Sequence, residues 1–378
     1  MATGRLLDSN RDKAGEFIGE CTILHSCEPC MKSNESKTAT IFCQDCDEYL
    51  CDTCKNAHNV YKPGRHDIVR IQDRTSGRVV VDMKAMEICR NPVDTSRISL
   101  SSQPWPLTLE LIVSVDLSKT GDVEMEPRIS GLDFMPNGRL VVVDNANKKC
   151  FILNDRLQKL GSPHKFINKP MGVVCLSQNK LAITCGKDVC FLSVSTDNII
   201  RMRRTIHTSS KFSSICCESP FKMIVSTYDD PRPARMLSVD GVESDFDNVE
   251  LPYETYKVGE SACTYVQSKN TLVLTDMLAH VVYMFDTVKG TSKAITDEKI
   301  QEPCGACVGP AETLLVISRA KNSLVHLTVE GDILGTYPVD IEMPWILCMN
   351  KDGTRLAVSN ILNGNMKIQL FKISTAIS

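Results

Sequence analysis

No apolar run in the 378 residues approaches the length of about 20 that a membrane-spanning helix needs. The first residues, MATGRLLDSNRDKAGEF, contain no apolar core of the kind that opens a secretory leader. Charge of one sign is also missing: 43 Lys and Arg against 46 Asp and Glu leave a net −3 at pH 7. Nothing global therefore draws the chain to nucleic acid or to an anionic membrane. These absences point to a soluble, cytoplasmic protein whose partner is not written in its overall charge.

Cysteine, by contrast, is abundant, with 18 in the chain. Six of them fall in three close pairs, and many others, Cys150, Cys175, Cys190, Cys216, Cys263 and Cys348, stand singly in apolar runs. Single cysteines in strands behave as small buried hydrophobes, and so many free thiols argue for a reducing compartment.

The chain is organised around residues 27–66, which read Cys27-x2-Cys30, Cys43-x2-Cys46, Cys51-x2-Cys54, His58, His66. Zinc takes four such ligands tetrahedrally, and two residues between paired cysteines let a tight turn aim both sulfurs at one ion. Eight ligands suggest two Zn2+ ions. If alternate pairs share an ion, the two sites interlock and hold a segment whose apolar core is too small to stand alone. Disulfides or scattered thiols are the rival reading, which three consecutive C-x2-C units followed by two histidines disfavour.

Together with Phe42 before the second pair and Tyr49-Leu50 before the third, this pattern resembles the B-box zinc finger of tripartite-motif proteins. The resemblance implies a cross-brace fold over residues 21–72, with Cys27, Cys30, Cys51 and Cys54 on one zinc and Cys43, Cys46, His58 and His66 on the other. Seven residues including Pro63-Gly64 separate His58 from His66, so that loop must fold back, and Cys21 or His25 could take the place of His66. In tripartite-motif proteins a RING finger usually precedes the B-box, yet only Cys21 lies upstream of Cys27. A helix is expected from Cys51 to about Asn59, placing Cys54 and His58 one turn apart, and a short closing strand over residues 68–71.

Residues 1–20 are polar, and mobility is expected there. Residues 73–107 read as a linker that can form a short helix over 81–90. Gly77, Pro92, Pro104 and Pro106 exclude the long coiled coil that would follow a B-box in the full family pattern.

From residue 108 to 378 the chain repeats. Similar units begin at Gly131, Gly172, Ser213, Ala262, Gly305 and Ile346, spaced 41, 41, 49, 43 and 41 residues apart. Each start is followed by a second and a third apolar strand, and most by a fourth. Four strands in 40 to 50 residues is the signature of a propeller blade, so the fold class is mainly β, a six-bladed β-propeller after a small zinc module. The last unit stops after its third strand, and the apolar run 109–115 can supply the fourth and close the ring. The first unit, GLDFMPNGRLVVVDNANKKCFILND, resembles the NHL repeat through Gly131, Asp133, Pro136, Gly138, Asp144 and Asn147. The fourth keeps Asp276 but has Ala279 where the Asn would sit.

Three further features read as structural. Cys304-x2-Cys307 falls in a first strand with no second pair nearby, so it is not taken for a metal or redox site. The run 200–206, IRMRRTI, is expected as an outer strand with Arg201 and Arg203 facing solvent in alternation with Ile200 and Met202. Asp276 and His280 share a turn, but no nucleophile accompanies them, so catalysis is not inferred.

The loops between second and third strands are the expected partner-binding face, offering Lys148, Lys149, Lys187, Arg232, Arg235, His280, Arg319 and Lys321. Interleaved acids and a single aromatic, Tyr228, favour a protein partner over RNA. The function expected is a non-catalytic, zinc-binding adaptor. An RNA-binding NHL-type regulator and a non-catalytic component of a ubiquitin ligase are its rivals.

Overall fold

The structure is a computed structural model that describes residues 27, 29–30, 37–43, 48–61, 68–70, 106–119, 125–219, 221–227, 229–251 and 262–375. The expectations for residues 1–20 and for a helix at 81–90, and the positions of Cys21, His25, Cys46, His66 and Tyr228, lie outside these residues. The chain divides into two compact units, residues 1–99 and 100–378.

In the first unit, strands β1 (Ile41–Cys43), β2 (Glu48–Leu50) and β3 (Ile68–Arg70) form an antiparallel sheet in the order β2-β1-β3. Helix α1 runs over Asp52–Tyr61, two residues beyond the expected end. Asp52 in its first turn suits the positive end of the helix, and the Thr40 hydroxyl donates to Asp52 Oδ1 at 3.1 Å. Ile41, Cys43 and Leu50 make up the buried core beside the helix, with Cys54 and Ile68 packed on it. Among the described residues these few apolar side chains do not offset the chain entropy of such a segment, which places its stability in its ligand chemistry.

The second unit is six four-stranded antiparallel sheets. Their first strands are Ile129–Phe134, Pro170–Cys175, Phe212–Ser219, Cys263–Val266, Pro303–Val308 and Pro344–Met349, the inner strands of blades I to VI. Burial decides the composition of each strand. Leu140–Asp144 and Lys149–Leu153 of blade I are buried at every position, because each blade is covered by a neighbour on both faces, whereas outer strand Lys159–Lys165 is largely exposed. Each of the six cores joins two adjacent blades. Leu132 and Phe151 of blade I, for example, pack with Cys348 and Leu370 of blade VI. The first strands approach so closely that a Cβ on Gly131 would lie 2.7 Å from the Met171 carbonyl oxygen, which restricts that position to glycine.

Blade VI takes its outer strand from the other end of the domain. Strand β4 (Leu107–Asp116) pairs with Lys367–Thr375, from Leu107 opposite Thr375 to Asp116 opposite Lys367, with a register shift between Leu370 and Phe371. The Leu107 N–H also donates to the Tyr337 hydroxyl of blade V at 2.9 Å.

One expectation is corrected. Ile200–His207 is the outer strand of blade II, and the alternation holds from Ile200 to Met202 but breaks at Arg203. Phe191 faces Arg204 while Leu192 faces Met202, so Arg203 is an inserted bulge residue that resets the register. Met202, opposite buried Leu192, is nonetheless 39% exposed, and beyond the bulge Arg204 lies over the Phe191 ring, 4.4 Å from its centroid.

The turns between second and third strands show what the repeat residues do. In blade I, Asp144 accepts hydrogen bonds from the Arg128 and Asn147 backbone N–H groups and from Asn147 Nδ2, the last at 2.8 Å. In blade IV, Asp276 Oδ1 accepts from the Ala279 N–H at 3.0 Å, but the buried Oδ2 has no hydrogen-bond partner among the described residues. An Asn at 279 would supply the missing donor.

Two outcomes follow. Ala279→Asn raises propeller stability by about 1 kcal/mol, seen as a melting temperature about 2–4 °C higher; an unchanged or lower value contradicts this account of the turn. Deleting residues 107–116 leaves blade VI with an unpaired edge, so the domain aggregates or melts well below the full chain in a thermal scan.

Candidate metal centre and loop face

Cys27 and Cys30 are both buried, and the Cys27 N–H donates to the Lys37 carbonyl at 2.7 Å. Cys51 directly precedes α1, and Cys54 lies on its first turn. The Sγ atoms of Cys27, Cys30, Cys51 and Cys54 all lie within 4.8 Å of one another, with Cys30 at 3.8 Å from Cys51 and 3.5 Å from Cys54. Zinc–sulfur bonds of about 2.3 Å at tetrahedral angles put sulfurs about 3.8 Å apart, so the cluster has the size and the donor set for zinc.

Four sulfurs packed this closely cannot all ionise by themselves. Burial, followed by hydrogen bonds with neighbouring thiols, pushes the Cys54 thiol well up, and Cys30 rises through burial first. Burial opposes ionisation of Cys51 too, yet hydrogen bonds from the Cys54 backbone and the other thiols bring it down to about 7. A bound dication would draw off the remaining protons and, as a fixed charge, tie the first turn to the helix.

Cys43 is buried at the end of β1 and His58 is buried on α1. Cys43 shares its small core with Cys54, so a ligand-type residue of the second set packs beside the first. Glu48 Oε2 lies 3.7 Å from His58 Nδ1, a carboxylate–imidazole contact of the kind that orients a metal-ligating ring.

Residues 25–71 match the family model of the B-box zinc finger. This segment is a B-box zinc finger. A B-box followed by a six-bladed propeller is a tripartite-motif-like layout, and residues 1–26 carry no RING pattern. No curated protein matches the chain. Among solved structures it is similar to virginiamycin B lyase from Staphylococcus aureus, 13% identical over 72% of this chain and 100% of that one, with a TM-score of 0.47. It is also similar to a protein of unknown function from Bacteroides thetaiotaomicron, 11% identical over 71% of this chain and 76% of that one, with a TM-score of 0.55. The latter likeness concerns the fold alone, and the former supports no inference about chemistry. Among the described residues no helix is long and apolar enough to cross a membrane.

On the propeller, the eight loop residues singled out above divide into two groups. Lys149 is only 8% exposed, with Nζ 3.9 Å from Asp144. Arg232 pairs with Asp230 at 2.5 Å and Asp245 at 2.9 Å, and the Arg232 hydrogen bond holds the Asp230 carboxyl far below its usual range. Arg235 is buried between Glu243 and Asp245, and Arg319 pairs with Glu302 at 3.2 Å beside the Trp345 ring. The remaining four are exposed. Lys148 donates to the Ile167 carbonyl at 3.1 Å, His280 Nδ1 accepts from the Glu302 N–H at 2.9 Å, and Lys187 and Lys321 have no ion pair among the described residues. Half of the candidate basic groups are thus neutralised within the fold by acids such as Glu243 and Asp245, whose proximity sequence order does not reveal.

Sequence reasoning passed over the axial cavity of about 390 Å³, lined by the first strands of all six blades. Asp133 lies there, accepting from the Cys175 N–H at 2.6 Å and the Phe134 N–H at 2.9 Å, with its carboxyl pushed up to about 6 by burial. Cys175, Cys216, Cys217, Cys263, Cys304, Cys307 and Cys348 line the same space. Its signal was the recurrence of cysteine near the start of five of the six repeats.

For the B-box, Cys51→Ser lowers zinc content and unfolds residues 25–71 while the propeller transition stays in place. Metal analysis with two-transition calorimetry checks both; full zinc retention in the variant contradicts the ligand role of Cys51.

Proposed function

We propose that this chain is a protein-interaction adaptor: its B-box is a rigid, metal-stapled contact module, and its propeller loop face receives a protein partner. In this reading the B-box carries two zinc ions, one on Cys27, Cys30, Cys51 and Cys54 and the other on Cys43, Cys46, His58 and His66. The propeller is of NHL type, which the Asp144–Asn147 turn supports, and the protein works without catalysis in the cytoplasm, where free thiols persist.

The observation that carries the reading is the internal pairing of Lys149, Arg232, Arg235 and Arg319. Nucleic-acid affinity comes largely from cations that neutralise phosphates, and a cation already paired with a buried or half-buried carboxylate contributes little to that. Exposed Lys148, Lys187 and Lys321 remain on separate blades among apolar side chains such as Ile167 and Leu278, a mixture suited to a protein surface.

Fluorescence titration of the full chain against a random RNA pool, at about 0.15 M salt, gives weak binding without a selected motif. Metal analysis of the same preparation gives two zinc ions per chain. Selection of one tight RNA motif, lost in Lys148→Glu with Lys187→Glu, overturns the adaptor reading in favour of RNA recognition.

A further inference from the structure

The axial cavity has one level at which each blade contributes a single side chain. Counted from the end of the second strand, the same register position is held by Asp133, Val174, Cys216, Thr264, Cys307 and Cys348 in blades I to VI. All six line the cavity. Blades I and IV stand opposite each other in a ring of six, so the Asp133 carboxylate and the Thr264 hydroxyl face the cavity from opposite sides.

Asp133 is the only acid among the lining residues. Its side chain is half-buried although it sits on an inner strand, so the surface it keeps is turned to the cavity. Each oxygen takes one backbone N–H, Oδ2 from Cys175 at 2.6 Å and Oδ1 from Phe134 at 2.9 Å. A carboxylate accepts about four hydrogen bonds, so acceptor capacity remains. Among the described residues the group makes no ion pair. Lys351, in the exposed turn after the first strand of blade VI, also lines the cavity, but it acts on Asp133 only from a distance, and burial outweighs it.

The rest of the wall offers little to a polar ligand. The Ser130 hydroxyl donates to the Met171 carbonyl at 2.8 Å, and Ser214 Oγ lies 2.7 Å from the Ser226 hydroxyl. The Cys304 and Cys217 thiols donate to the Pro344 and Ser219 carbonyls. Burial raises Cys307 and Cys348, so these thiols are neutral, polarisable and close to apolar in character. Thr264 differs, because its hydroxyl makes no hydrogen bond among the described residues. What remains is one uncompensated carboxylate and one free hydroxyl on a wall otherwise apolar or satisfied. A buried anion of this kind is stabilised by a cation that brings its own N–H donors. The level is not a preformed metal site, since among the described residues only the B-box cysteines gather three or more ligand atoms within 4.8 Å of one another. The volume of about 390 Å³ suits a small organic molecule.

We propose that the axial cavity is a binding site for a small primary ammonium compound, its charged head on Asp133 and Thr264 and its alkyl part along the thiol-lined wall. The ammonium group donates to the carboxylate oxygens and to the Thr264 hydroxyl oxygen. An alcohol of the same length lacks the charge, and a carboxylate is repelled by Asp133. The site lies on residues other than the loop face, so it stands or falls independently of the adaptor reading.

The test titrates the zinc-loaded full chain with butylammonium chloride by calorimetry, with n-butanol and sodium butyrate as controls. Sodium chloride is held at about 0.15 M, and the pH is about 7.5, where an alkylammonium is charged. Saturable binding of butylammonium is expected, about tenfold or more tighter than that of n-butanol, with no heat from butyrate. Asp133→Asn, which keeps the shape of the side chain, weakens butylammonium about tenfold or more, and Thr264→Val weakens it a few-fold. Equal affinity for butylammonium and n-butanol overturns the proposal, as do an absence of saturable binding and an undiminished affinity in Asp133→Asn. If Asp133→Asn fails to fold, Thr264→Val decides the location from the opposite blade, and undiminished affinity there overturns the assignment.

Discussion

The propeller depends on one constraint: every blade is apolar on both faces, so no blade is stable without two neighbours. A linear row of six would leave two faces uncovered. Pairing of Leu107–Asp116 with Lys367–Thr375 removes that problem by making the first and last blades adjacent. Leu132 and Phe151 can then bury against Cys348 and Leu370, across the place where an open array would have ended. The six inter-blade cores and the convergence of the first strands on one axis follow from this closure.

The B-box answers the same thermodynamic requirement by different means. Among the described residues its buried apolar cluster is a few side chains, too little to order a segment of this length through burial. The cysteine cluster at one end of the helix substitutes electrostatics and coordination for hydrophobic area. Sulfurs that resist ionising together are stable together only around a cation, so folding and metal affinity are one equilibrium in this unit.

The loop face and the axis illustrate two consequences of building function on such a ring. On the loop face, acids from outer strands reach basic residues from neighbouring turns, and Arg232 and Arg235 become parts of the fold. Along the axis, Ser214 and Cys263, 49 positions apart in sequence, come within 3.3 Å because successive inner strands stand side by side.

Much of this was legible in the residues. The C-x2-C spacing announced the zinc module because coordination needs two sulfurs on one turn, a local property. Six starts at intervals of 41 to 49 residues announced the blades, and the run near residue 110 could be placed because the last repeat lacked a strand. Asp276 with Ala279 even marked a turn with one hydrogen bond too few. What sequence could not supply was register and proximity. A single inserted residue at Arg203 set Arg204 opposite Phe191, since side chains alternate with a period of two and any bulge resets every position beyond it. The partners of Arg235, the depth of Asp133 in the axial cavity and the meeting of Ser214 with Cys263 were decided only when the sheets closed into a ring. Composition and spacing determine what each segment must bury or bind, whereas which segments share that burial is a property of the closed chain.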